Sequence, residues 1–252
     1  MFSKILRGAI LATFAVGATV AQADPFSGGA NGNLNYAGQA PGAHGATIIA
    51  PKLPPASAGG VSAGLMYGYF DNTDGNANDN FFYFFCIDLA HWATSTPLAY
   101  TRTTALGLSS DDVSQLENLF DKYVNPGNTL GTLGSPAVSA ANSAAMQLAI
   151  WNIIYDADAT IASNAFRATS SDSPLADAML AASLTAVAPA DQYTYTLYRF
   201  HSETASSTYA YSQDYLAFER VKSSRDLPLP GTLALLGIGL AGLGLARRKT
   251  TA

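Results

Sequence analysis

The chain contains a single cysteine, Cys86, in the aromatic stretch FFYFFCIDLAHW at residues 81–92. A thiol is a nucleophile once deprotonated; otherwise it packs as a small hydrophobe. Chemistry that would match it lies in VSAANSAAMQLAIWNIIY, residues 138–155. There Gln147, Ile150, Trp151 and Ile154 recur at three- and four-residue spacing, one face of a helix. The amide of Gln147 thus falls on an apolar stripe, where an unpaired polar group costs about 1–3 kcal/mol. A thiol beside such an amide can condense with it. The sulfur bonds to the amide carbonyl carbon, the C–N bond breaks, and ammonia leaves with the thiol proton. The resulting thioester lasts only where water is excluded, and it is a stored electrophile for an amine or a hydroxyl.

Other chemistries remain open. Cys86 and Gln147 could be an inert buried pair. A cysteine hydrolase would need a histidine. His91 lies five residues after Cys86, and odd spacing along one strand points two side chains to opposite faces. His44 and His201 are too distant in sequence to place, and catalytic pairs are assembled in space. The acidic run 71–80, with Asp71, Asp74 and Asp79, raises calcium, but an EF-hand register would put Phe70 at the first ligand position. No metal-ligand cluster, phosphate loop or Gly-x-Ser-x-Gly elbow is present. The reading is of a protein without catalytic residues, metal or cofactor, and not an enzyme.

Phe85-Cys86-Ile87-Asp88 and Gln147-Leu148-Ala149-Ile150-Trp151 resemble the two motifs of the Cys–Gln thioester domains of bacterial surface adhesins. In that family an aromatic–cysteine–aliphatic–acidic motif lies on a strand, and Gln-x-x-aliphatic-Trp supplies the glutamine from a helix. The resemblance implies that Cys86 is the thiol, Gln147 the acyl donor and Trp151 the residue that shields the bond. Met146 stands where the family often has threonine.

Elements must position these two groups. Val61–Phe70 and Phe81–Leu89 read as strands joined by the turn-forming run 71–80. Three helices follow. The first opens on Ser109-Ser110-Asp111-Asp112 with an apolar face of Val113, Leu116, Leu119, Phe120 and Tyr123. The second spans about 138–155, and the third starts at Ser173-Pro174 and runs to about Val187. Tyr193–Phe200 and Thr208–Val221 are strand-like again. Strands, helices, strands predict an α+β fold: a mostly antiparallel β-sandwich or barrel with an inserted helical block. Residues 61–222 form this body, and 24–60, rich in Gly, Pro and Asn, read as a flexible lead-in or as a first strand or two, with Ala46–Ala50 the one strand-like piece. Tyr193, Tyr195 and Tyr198 offer stacking surfaces to a sugar, though ordinary sheet packing accounts for them as well.

The ends frame the body. Lys4 and Arg7, an apolar run to Val20 and Ala21-Gln22-Ala23 read as a signal peptide over residues 1–23. At the other end, Pro228-Leu229-Pro230-Gly231 precedes an uncharged Leu/Gly-rich span over 231–246, then Arg247, Arg248 and Lys249. That order predicts a transmembrane sorting helix with a cytoplasmic basic end. It resembles the PEP-CTERM sorting signal, which implies processing by exosortase, a membrane cysteine protease, in bacteria that make extracellular polysaccharide. Leu229 takes the place usual for Glu. The segment is 223–252.

From Asp24 to Asp226, 18 acidic residues face eight basic ones, a net charge of −10. That balance repels nucleic acid and anionic headgroups. The combined expectation is a protein exported across the inner membrane, which it touches transiently through the C-terminal helix, and delivered to the cell surface or matrix. It would attach covalently, through the thioester, to extracellular polysaccharide or a surface protein. The rival is a non-covalent structural or polysaccharide-binding matrix protein.

Overall fold

The computed structural model describes residues 30–40, 42–49, 59–71, 81–124, 139–156, 158–186, 193–202 and 213–222. The signal peptide, the run 72–80 and the whole sorting segment lie outside the described residues. Among those described, no helix is long and apolar enough to cross a membrane.

Six strands close into an antiparallel barrel. They are β1 (Asn31–Gln39), β4 (Met66–Asp71), β5 (Phe81–Cys86), β6 (Leu98–Thr103), β8 (Tyr193–His201) and β9 (Tyr215–Lys222). Their order around the barrel is β1-β4-β5-β9-β8-β6. A second sheet has the order β3-β2-β7, from β2 (His44–Ile49), β3 (Gly59–Ala63) and β7 (Arg167–Thr169). Three helices, α1 (Ser110–Tyr123), α2 (Ala140–Tyr155) and α3 (Ser173–Ser183), are inserted between β6 and β8. The α+β class and the inserted helical block stand as expected.

Two expectations are corrected. The segment 24–60 is not a lead-in where it is described: β1 closes the barrel between β4 and β6, and β2 is the centre of the second sheet. Its glycines and asparagines masked the alternation that buries Leu34, Ala46 and Ile48. The expected strand Val61–Phe70 is two strands. The chain leaves the small sheet after Ala63 and enters the barrel at Met66, and Leu65 N–H donates to Ser143 Oγ of α2 at 2.5 Å.

Aromatic side chains fill the barrel. Phe200 stacks on Phe82 at 5.1 Å and meets Phe70 edge-on at 4.9 Å, while Phe84 meets Tyr215 at 4.6 Å. Phe82, Phe84 and Cys86 are alternate residues of β5, so Cys86 continues the interior series at the end of the strand. On the opposite face Phe85 packs against Phe120 of α1.

Helix α1 begins with a capping box: Ser109 Oγ accepts from Asp112 N–H, and Asp112 Oδ2 accepts from Ser109 N–H. Helix α2 is buried along Ser143–Ile153 without a break. A helix apolar on every side belongs at the centre of a protein, and α2 lies between α1, α3 and the small sheet. Helix α3 has Pro174 in its first turn and ends at Ser183, short of the expected Val187.

Candidate functional site

The two sequence motifs meet. Gln147 Oε1 accepts from Cys86 N–H at 3.0 Å, and Gln147 Nε2 donates to Cys86 C=O at 2.7 Å. The amide thereby pairs the main chain of the last residue of β5, and both residues are fully buried. One α-helical face makes the whole seam. Gln147, Trp151 and Tyr155 are spaced by four, and Tyr155 OH donates to Ile87 C=O and accepts from Leu89 N–H, both at 3.1 Å.

The Cys86 thiol donates to Asp88 C=O at 3.1 Å. Burial pushes its pKa far above the ordinary thiol value. Contacts with the Asp88 backbone and the Trp151 side chain oppose this shift, while the charges of Asp88 and Asp214 add to it. The thiol is therefore protonated at rest. Trp151 is 2% exposed, and its Nε1–H has no regular hydrogen-bond partner. The expected shielding residue is thus packed beside the sulfur.

Beyond the strand, the chain over 87–97 turns away from the sheet. His91 consequently does not obey strand alternation. It lines, with Cys86, Trp151, Trp92 and Gln213, a cavity of about 240 Å³. Its Nδ1 is bonded to Asp88 Oδ2. Gln213 holds the turn by donating from Nε2 to Asp88 C=O at 2.9 Å and to His91 C=O at 3.1 Å. Tyr100 OH donates in turn to Gln213 C=O at 2.9 Å.

A second cavity of about 350 Å³ has His91 in its wall too, with Asp88, Tyr155, Arg199, His201 and Asp214. Asp214 accepts from Arg199 Nε at 2.9 Å and Nη2 at 2.6 Å, and pairs with His201 Nδ1 at 2.9 Å. His44 Nδ1 pairs with Asp172 Oδ2 at 2.7 Å, joining β2 to the start of α3. Each histidine of the chain is thus held by an aspartate.

Sequence reasoning missed Gln213 and Tyr155, and it set His91 on the face opposite Cys86. The Asp88-x-x-His91 spacing was a legible sign of a turn closed by its own side chains, and Tyr155 completes the four-residue repeat. Gln213 carried no signal, because it arrives from a segment distant in sequence. The tyrosines suggested for stacking are sheet residues. Tyr195 is 4% exposed, and Tyr198 is half-buried, bonded to Glu219 and covered by Arg102. The side chain of Tyr193 and the acidic run 72–80 lie outside the described residues.

No curated protein and no solved structure matches the chain. Residues 226–249 match the model of the PEP-CTERM protein-sorting motif, which includes Pro228, Leu229, Pro230 and Gly231. The chain thus carries the motif of an exported, exosortase-targeted protein whose precursor is held at the membrane.

Proposed function

We propose that the exported body forms an internal thioester between Cys86 and Gln147 and uses it once, to attach covalently to a surface or matrix partner. The observation that carries this reading is the clasp between the Gln147 amide and the Cys86 main chain, with both residues fully buried. It supports the reading because it ties the Gln147 side chain, across 61 residues, to the main chain of the residue that carries the thiol. Cys86 N–H, already bonded to Oε1, is a preorganised donor for the negative oxygen of a tetrahedral intermediate. Condensation releases ammonia. Later attack by a partner nucleophile H–Nu forms the Gln147 acyl–Nu bond and returns the proton to Cys86 as a thiol. Such a protein makes one bond per molecule and is not a turnover enzyme.

A second reading rests on the same clasp. Both polar ends of the amide are satisfied by Cys86, so Gln147 has a structural role without any bond to sulfur, as in a non-covalent matrix or polysaccharide-binding protein. The intact mass of the freshly secreted body separates the two. A mass one ammonia short, restored with an adduct by methylamine, establishes the thioester. A full, unreactive mass establishes the structural pair.

A further inference from the structure

At the cavity, Trp151 Nε1–H has only the Cys86 sulfur as a partner, and Gln213 Oε1 is buried with none among the described residues. Their side chains belong to residues 2% and 8% exposed, and both line the cavity that Cys86 shares with His91. One is a donor and the other an acceptor. A buried polar group left unmatched costs about 1–3 kcal/mol, so the unmatched acceptor beside the thiol and its indole donor suits a polar group of a ligand. A nucleophile adding to a carbonyl needs that combination: a donor toward the oxygen that gains charge and an acceptor toward the incoming O–H or N–H.

The remaining wall distinguishes the two nucleophiles. An amine attacks with its own lone pair and needs no base once unprotonated. A hydroxyl is a poor nucleophile until its proton is removed during attack. His91 supplies the base. In the neutral imidazole whose Nδ1–H donates to Asp88, the lone pair lies on Nε2. Trp92, 56% exposed, stands at the same cavity as an aromatic face open to solvent. The volume of about 240 Å³ equals that of roughly eight waters, room for one sugar ring.

Building on the thioester reading, we propose that this cavity accepts a carbohydrate hydroxyl, with the sugar against Trp92 and Gln213 and with His91 as the base that takes its proton. Attack forms an ester between the Gln147 acyl group and the sugar oxygen. The C–S bond breaks, and the proton held by His91 passes to the departing Cys86 sulfur. Nothing is oxidised or reduced, and the one product is the glycan-bound protein.

The test uses the secreted body, its ammonia deficit first read by intact mass, then incubated separately with methyl glucoside and with methylamine. The wild type is expected to add methyl glucoside as an ester. His91→Ala and His91→Gln are expected to slow ester formation by about 10²-fold or more, the usual share of a general base, with the methylamine rate changed less than about twofold. His91→Gln retains a hydrogen bond to Asp88, so it guards against a folding defect. Trp92→Ala is expected to raise the glucoside concentration needed for half-maximal rate. Methylamine addition without any glucoside ester overturns the proposal and leaves the thioester standing, as does equal slowing of both reactions by the His91 variants. A full starting mass overturns both.

Discussion

Gln147 and Cys86 form a closed two-bond ring, with the side-chain amide of one pairing with the backbone N–H and C=O of the other at 3.0 and 2.7 Å. A glutamine in this position acts as an extra strand residue lent by a helix. It explains why β5 can end against α2 without leaving its last peptide unpaired.

Replacing Gln147 by Leu tests the structural half of that relationship. The volume is nearly kept, but Cys86 N–H and C=O lose their partners in a fully buried place. Each orphaned group costs about 1–3 kcal/mol, so the variant is expected to lose about 2–5 kcal/mol. Denaturant unfolding followed by tryptophan fluorescence reads this. An unchanged midpoint would show that the two backbone groups find water or other partners.

Burial also sets a pH limit. The pKa values of the Cys86 thiol and of the Tyr100, Tyr155 and Tyr215 phenols are all raised, first by burial. In the unfolded chain they ionise near 9 and 10, while the folded chain keeps them protonated. The unfolded state then holds fewer protons, and stability falls as pH rises. The contribution is full below pH 9 and declines by about 1.4 kcal/mol per pH unit for each group ionised only on unfolding. Thermal scans at pH 7, 9 and 10.5 are expected to show little change to pH 9, then a steep drop in Tm. A flat profile to pH 10.5 would contradict the burial of these groups. A formed thioester removes the Cys86 share and leaves the tyrosine share.

Gly68 of β4 is required for barrel closure. A Cβ at this position would lie 2.3 Å from Asn35 O of β1, a backbone atom that cannot swing aside. Position 68 also pairs with Tyr36, next to the irregularity between Tyr36 and Gly38. Gly68→Ala is expected to cost about 1–3 kcal/mol, in the range of overpacking, and to lower the urea midpoint. A neutral result would mean that β1 can shift outward at its bulge.

The parts legible in the sequence are those with local signals. Ser109 and Asp112 announce the start of α1, the spacing of Gln147, Ile150, Trp151 and Ile154 announces α2, and the paired aromatic strands announce β4 and β5. That the Gln147 amide needs a buried partner was legible from its place on an apolar stripe; that Cys86 supplies this partner through its main chain was not. What the sequence hid depends on long-range closure. Leu34 gives β1 a single strongly buried apolar residue, so its place in the barrel comes from pairing on both edges with β4 and β6. His91 was assigned to the wrong face because strand alternation was carried past Cys86, where the strand ends. Gln213 reaches the site across 122 residues to His91, and no periodicity encodes that.

Trp151 separates packing from chemistry. Its ring fills space beside Phe166 at 6.4 Å, and its buried Nε1–H has only the Cys86 sulfur as a partner. Trp151→Phe removes both. The lost ring contacts cost about 1–3 kcal/mol by analogy with smaller core truncations, and removing a buried donor whose only partner is a weak sulfur acceptor returns about 1–2 kcal/mol. The two nearly cancel, so stability is expected to change by less than about 1.5 kcal/mol. The chemical effect does not cancel. If the indole N–H holds developing charge on the acyl oxygen or the departing sulfur, its loss is expected to slow adduct formation with methylamine by about 10²-fold, the usual cost of one such donor. Stability from urea unfolding and adduct rate from intact mass are measured on the same preparation. A stable variant with an unchanged adduct rate would make Trp151 a packing residue, and Cys86 N–H would be left as the donor to the oxyanion.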